Sequence, residues 1–175
     1  MIRFQTSQLG DEDLHLAGEE DGALLDLEGD PVAREDGPIA YDLSLERAGG
    51  ELIVRGEIRA PMKLRCRRCA ELFSTIVRVS SFLHAYDWEE CPEFLDVSED
   101  VREDILLEVP GYPLCAEACQ GLCPQCGQNL NGGACGCRPV EDVLSPWAAL
   151  NEIVVADAPE SRSTGRGGPR GKNKE

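Results

Sequence analysis

Cysteines are the residues of this 175-residue chain best suited to chemistry. Six of the nine fall within 23 residues, in Cys115-AEA-Cys119-QGL-Cys123-PQ-Cys126-GQNLNGGA-Cys135-G-Cys137. Cys123-Pro124-Gln125-Cys126-Gly127 has the form of a zinc knuckle. Two thiolates three positions apart can reach one ion, and the glycine lets the chain turn so that backbone N–H groups face the sulfurs. Cys135 and Cys137 follow past a Gly132-Gly133 turn. The expected site is Cys123, Cys126, Cys135 and Cys137 around one Zn2+. Four thiolates close the coordination sphere, so such a site is structural and not catalytic. The competing fates of these thiols are a disulfide knot or unmetallated cysteines.

A second pair, Cys66-Arg67-Arg68-Cys69, can be a redox dithiol or half a metal site. The redox form wants its first cysteine at a helix N-terminus in a βαβ setting, where its pKa falls. Here the pair ends one predicted strand and precedes another, which favours the half-site. With one set of four assigned, Cys66/Cys69 and Cys115/Cys119 remain as two pairs needing each other, and Cys91 is spare. The chain is therefore expected to carry one or two Zn2+, the second clamping the sheet to the cysteine loop. The rival is a single site in which Cys115 or Cys119 replaces Cys135 or Cys137.

The elements that must position these groups read as an α+β fold. It is an antiparallel β-meander packed by one main helix, with a C-terminal cysteine-rich zinc-knuckle loop and a short terminal helix. Residues 40–47 alternate, and Gly49-Gly50 turns the chain. Leu52, Val54, Ile58, Met62, Leu64 and Cys66 then share one parity, with Arg55, Glu57, Arg59, Lys63, Arg65 and Arg67 on the other. Pro61 is expected to break this run or mark an edge. Leu72–Leu83 supplies a further strand, and 84–97 a surface loop with His84 at its start. Ser98 should cap a helix over 98–109 whose stripe is Val101, Ile105, Leu106 and Val109. Ser145-Pro146-Trp147 opens a short helix over 146–152. The expected divisions are a strand and acidic segment (1–39), the main domain (40–156) and a disordered basic tail (157–175).

Charge narrows the partners. The chain carries 33 acidic and 17 basic residues, net −16, and its tail from Pro159 is net +3, leaving −19 for residues 1–158. An acidic body repels phosphate over most of its surface. Eleven acids crowd residues 11–36. Against this, Arg55, Arg59, Lys63, Arg65 and Arg67 form a one-faced stripe whose alternate residues project about 6.6–7 Å apart. That spacing is close to the phosphate spacing of a single nucleic-acid strand. The stripe is either an RNA contact or a solvated face paired with the acidic segment. No apolar run is long enough to span a membrane, and MIRFQTSQLG has no signal-peptide core, so a cytoplasmic protein is expected. Nine cysteines without such a leader point to metal binding in a reducing compartment.

The cysteine-arginine-arginine-cysteine at a strand end, the acidic helix ending in proline, PLCAEACQGLCPQCGQNLNGGACGC and the closing PWAAL together resemble the bacterial YceD family (the DUF177 domain). The resemblance covers roughly residues 40–153. It departs at Leu144-Ser145-Pro146, where the family often has aspartate-proline-arginine. It implies a role in accumulation of large-subunit (23S) ribosomal RNA, with no established enzymatic activity. The expected partner is ribosomal RNA or a ribosomal protein, with no membrane and no small-molecule substrate. Three other readings fit the residues less well. A hydrolase has only His15 and His84 to draw on, neither at metal-ligand spacing. A dithiol redox protein using Cys66/Cys69 leaves the other paired cysteines unexplained. A zinc-ribbon nucleic-acid-binding regulator would need a basic recognition helix, which the chain lacks.

Overall fold

The spine of the fold is one long strand with its apolar residues on a single parity. In a computed structural model, which describes residues 1–9 and 13–137, strand β5 takes this role. The strands are β1 (Arg3–Gln5), β2 (Leu14–Glu20), β3 (Ala33–Glu35), β4 (Ile39–Ala48), β5 (Glu51–Arg65), β6 (Leu72–Asp87) and β7 (Phe94–Asp96). Helix α1 (Ser98–Glu108) follows β7. Strand β5 pairs antiparallel with β6 along one edge. Its other edge is shared, β4 taking residues 51–59 and β3 residues 62–64. Strand β2 pairs outside β4, and β1 pairs with β7 in a separate two-stranded ribbon.

Residues 1–39 therefore do not stand apart from the sheet: β2 and β3 belong to it. Nor does Pro61 break β5. Its carbonyl accepts from Asp36 N–H at 2.9 Å, so its nitrogen faces the same edge, at the gap where β4 gives way to β3. A missing N–H costs no ladder bond there.

One face of the sheet is buried. Leu52, Val54, Ile58, Ala60, Met62 and Leu64 of β5 meet Leu43 and Leu45 of β4 and Val77, Val79 and Phe82 of β6. The parity on β6 changes between Val79 and Phe82 because Gly56 pairs with Phe82 while Ile58 pairs with Val79. Glu57 thus faces both Ser80 and Ser81, and this bulge keeps both halves of the apolar set on the core side. The same shift extends β6 to Asp87, through residues expected as loop.

Helix α1 closes the core through Val101 and Ile105, joined by Leu25, Ile2, Phe4, Leu95 and Val97. Ser98 is not its cap. The Ser98 hydroxyl accepts from Ile2 N–H at 2.7 Å, and Asp96 Oδ1 accepts from Ser98 N–H at 3.0 Å. Toward α1, His84 meets Asp104 (3.3 Å) and Asp100 (3.7 Å), and Tyr86 donates its hydroxyl to Asp100. Burial first, then Asp100, pushes the Tyr86 phenol above its ordinary range. Among the described residues no helix is long and apolar enough to cross a membrane. The expected helix at 146–152, Trp147 and the tail lie outside the described residues.

Candidate metal centres

Two tight turns present the first thiols of each cysteine group, and they are built alike. In Cys66–Glu71, Ala70 N–H donates to Cys66 O (3.0 Å) and Cys66 N–H to Glu71 O (2.8 Å). In Cys123–Gln128, Gly127 N–H donates to Cys123 O (2.9 Å) and Cys123 N–H to Gln128 O (2.8 Å). The fifth residue is left-handed in both, with φ 60° at Ala70 and 73° at Gly127. The N–H of Arg68 reaches Cys66 Sγ at 3.4 Å, and the N–H groups of Cys126 and Gln125 face Cys123 Sγ.

The turns differ in one residue. A left-handed alanine costs about 1–2 kcal/mol, and a Cβ on Gly127 would meet nothing within 4 Å, so that cost is conformational only. Ala70→Gly is expected to raise stability by about 1 kcal/mol, and Gly127→Ala to lower it by about as much. Denaturant unfolding checks both, and opposite signs at the two positions are required if the turns are equivalent.

Each turn meets a second pair of thiols. Cys66, Cys69, Cys115 and Cys119 have sulfurs within 4.8 Å of one another, and so do Cys123, Cys126, Cys135 and Cys137. Cys66 Sγ lies 3.8 Å from Cys119 Sγ, and Cys69 Sγ lies 3.7 Å from Cys115 Sγ. A disulfide needs about 2.05 Å. A tetrahedron with metal–thiolate bonds of about 2.3 Å has edges of about 3.8 Å. The donor set and its spacing fit a metal ion in both places.

The two groups are seated differently. Cys66, Cys69 and Cys119 are buried, with Phe73 and Leu114 packed against them. The loop carrying Cys115 and Cys119 hangs on the first turn. Arg67 N–H donates to Pro113 O at 2.9 Å and Leu122 N–H to Arg68 O at 3.1 Å. The Arg68 guanidinium spans the carbonyls of Glu117 and Cys119, both at 3.0 Å. Asn131 donates its amide to Cys119 Sγ at 3.3 Å. Cys91 belongs to neither group; it packs at the core edge, where burial and then Asp87 push its thiol up.

Protons divide unevenly within each group. Burial pushes the Cys66 thiol up, but the N–H groups of Cys69, Cys115 and Arg68 outweigh it and bring it down to about 6. The N–H groups of Cys126 and Gln125 do the same for Cys123, to about 6. The Asn131 amide, against burial, draws Cys119 down. Sharing a hydrogen bond with Cys119, together with burial, holds Cys115 up at about 12. Cys126, then burial, does likewise for Cys137, at about 12. Close thiols cannot all ionise without a cation among them, and a divalent ion removes that conflict.

A family model described as "Large ribosomal RNA subunit accumulation protein YceD" matches residues 84–154. The chain belongs to the YceD family. The matched span contains six of the eight clustered cysteines but not Cys66 and Cys69. An uncharacterized protein of Mycobacterium tuberculosis is 32% identical over 85% of this chain and 69% of its own length. One of Mycobacterium leprae is 28% identical over 73% of this chain and 64% of its own length. A "Large ribosomal RNA subunit accumulation protein YCED homolog 1, chloroplastic" of Arabidopsis thaliana is 37% identical over 29% of this chain and 18% of its own length. No solved structure matches.

The basic stripe lies on the open face of the sheet, opposite the core. Arg55 pairs with Glu46 (2.9 Å), Arg59 with Glu57 (3.2 Å) and Lys63 with Asp36 (2.5 Å). Arg65 donates to the carbonyls of Pro31 (2.8 Å) and Ala70 (2.9 Å). Arg67 is off this face, because β5 ends at Arg65 and Arg67 sits in the cysteine turn. Among the described residues the acidic segment thus supplies one carboxylate to the stripe, Asp36. Sequence reasoning missed Arg68 and Asn131, whose partners are distant in sequence. It also missed the kinship of the two turns, which alanine at position 70 disguises.

Proposed function

We propose that this protein is a non-catalytic, zinc-stabilised factor supporting accumulation of large-subunit (23S) ribosomal RNA, acting through contacts with ribosomal RNA or a ribosomal protein. Membership of the YceD family, described by its role in large ribosomal RNA subunit accumulation, carries the reading of the process. The two four-thiolate groups support zinc as the ion: the sulfurs of each lie within 4.8 Å of one another, and in the Cys66 group two separations stand at the edge length of a tetrahedral thiolate site. Cys66 and Cys123 would hold it through sulfurs that backbone N–H groups already face, and Cys119 through the sulfur that Asn131 orients. Zinc bound in this way supplies folding free energy and leaves no position for a substrate. Depleting the protein in its native cells is expected to lower 23S relative to 16S ribosomal RNA. Wild type should restore the ratio, and Cys123→Ser/Cys126→Ser should not. An unchanged ratio on depletion would remove the functional reading.

A further inference from the structure

On the open face, the register places like charges directly opposite one another twice. Arg59 pairs across the ladder with Arg78, and Lys63 with Arg34. Cross-strand like charges destabilise a sheet, and here they occur in a protein of net charge −16, where carboxylates would be the ordinary neighbours. Arg78 and Arg34 are exposed and make no ion pair among the described residues. Glu57, the carboxylate on Arg59, is 58% exposed, the kind of partner that phosphate displaces at small cost. Asp36 on Lys63 is half-buried and also accepts from the Ser74 hydroxyl at 2.6 Å, so the Arg59 row is the more readily freed.

Between these two cationic rows lies an apolar one. Pro61 pairs with Ile76, and Ile76 is 50% exposed. Alternate rows on a strand are about 7 Å apart, so the face reads cation pair, apolar pair, cation pair in equal steps. Helix α1 packs on the opposite side. We infer that this face, centred on Arg59, Arg78, Lys63 and Arg34 with Pro61 and Ile76 between them, binds single-stranded RNA. The two cationic rows, about 14 Å apart, take alternate phosphates of the strand, and a base lies over the apolar row between them. The inference rests on the ribosomal-RNA reading above and names its RNA partner and surface. The favoured partner is RNA and not protein because the charge is positive and arranged in repeating steps, as a phosphodiester chain is.

The test uses the full-length, metal-loaded protein and a labelled single-stranded RNA of about 12 nucleotides, titrated across a salt series. Arg59→Glu/Arg78→Glu is expected to weaken binding at least about tenfold and to lower the slope of log affinity against log salt by about 1.4, two phosphate contacts at about 0.7 each. Ile76→Asp should weaken binding with less change in slope. Arg59→Gln/Arg78→Gln, which relieves repulsion instead of reversing charge, serves if the reversed protein does not fold. Wild-type protein that ignores RNA, or variants that bind it equally, overturn the inference. The two readings separate in cells. Arg59→Glu/Arg78→Glu that restores 23S ribosomal RNA sinks the RNA face alone, whereas depletion without effect on 23S sinks the process.

Discussion

Replacing Cys66 and Cys69 by serine is expected to lower bound zinc from two ions per chain to one. Each group of four thiols is self-contained, with its sulfurs within 4.8 Å of one another, so neither can borrow a ligand without moving a turn. The loss should extend beyond the ion. The loop with Cys115 and Cys119 is fastened to the sheet through backbone bonds to Arg67 and Arg68 and through the Arg68 guanidinium. The described residues after α1 are in large part loop and turn. A structural zinc contributes about 10–16 kcal/mol apparent in small peptides, comparable with the about 5–15 kcal/mol that holds a whole domain. The variant should keep its sheet, whose core is separate, and lose amide protection across 113–122. Mass spectrometry of reduced protein gives the stoichiometry, and hydrogen exchange gives the extent. Two ions retained would mean that the sheet pair ligates nothing; one ion in wild type would dissolve the second site.

Loading should also follow pH with a definite sign. In the metal-free chain Cys115 and Cys137 keep their protons up to about 12, whereas Cys66 and Cys123 lose theirs near 6. Binding must therefore expel protons from each group, so zinc affinity rises with pH through neutrality and both ions leave in acid. Stability that depends on the depressed thiols is present above their unfolded value near 9 and is lost as pH falls through about 6. Affinity independent of pH would contradict this division of protons.

Gly56→Ala is expected to destabilise the sheet by about 3 kcal/mol or more, a fall in Tm of about 10 °C. A Cβ at this position would lie 2.0 Å from Asp42 O and 2.9 Å from Leu43 Cα. Both are backbone atoms of β4, so no rotamer change relieves the contact and the ladder itself must open. The position also adjoins the bulge where Glu57 faces Ser80 and Ser81, which fixes the inward parity of the far half of β6. Strain at Gly56 is therefore expected to loosen Phe82 as well. Thermal unfolding with metal content held constant is the measurement. A Tm within a degree or two of wild type would mean that β4 can retreat cheaply.

The chain's own pattern determines whatever depends on near neighbours. Leu52, Val54, Ile58, Met62 and Leu64 share the buried face of β5 because a strand alternates every residue, and Val101 and Ile105 share the buried face of α1 because a helix returns every three to four. Spacing within Cys66–Cys69 and Cys123–Cys126 is likewise local, since two thiols three positions apart turn toward one point. The resemblance to the YceD family was also legible, in a run of residues around those cysteines. Only tertiary structure decided the rest. Pro61 lies within a continuous strand because two short strands share one edge of β5 and leave a gap at that residue. Ser98 bonds Ile2 across 96 positions and leaves Asp96 to serve the start of α1. Cys66 meets Cys119, and Arg59 meets Arg78, through ladder register and loop docking. No alternation along the chain encodes these meetings, because register joins residues by their place in the sheet and not by their distance in sequence.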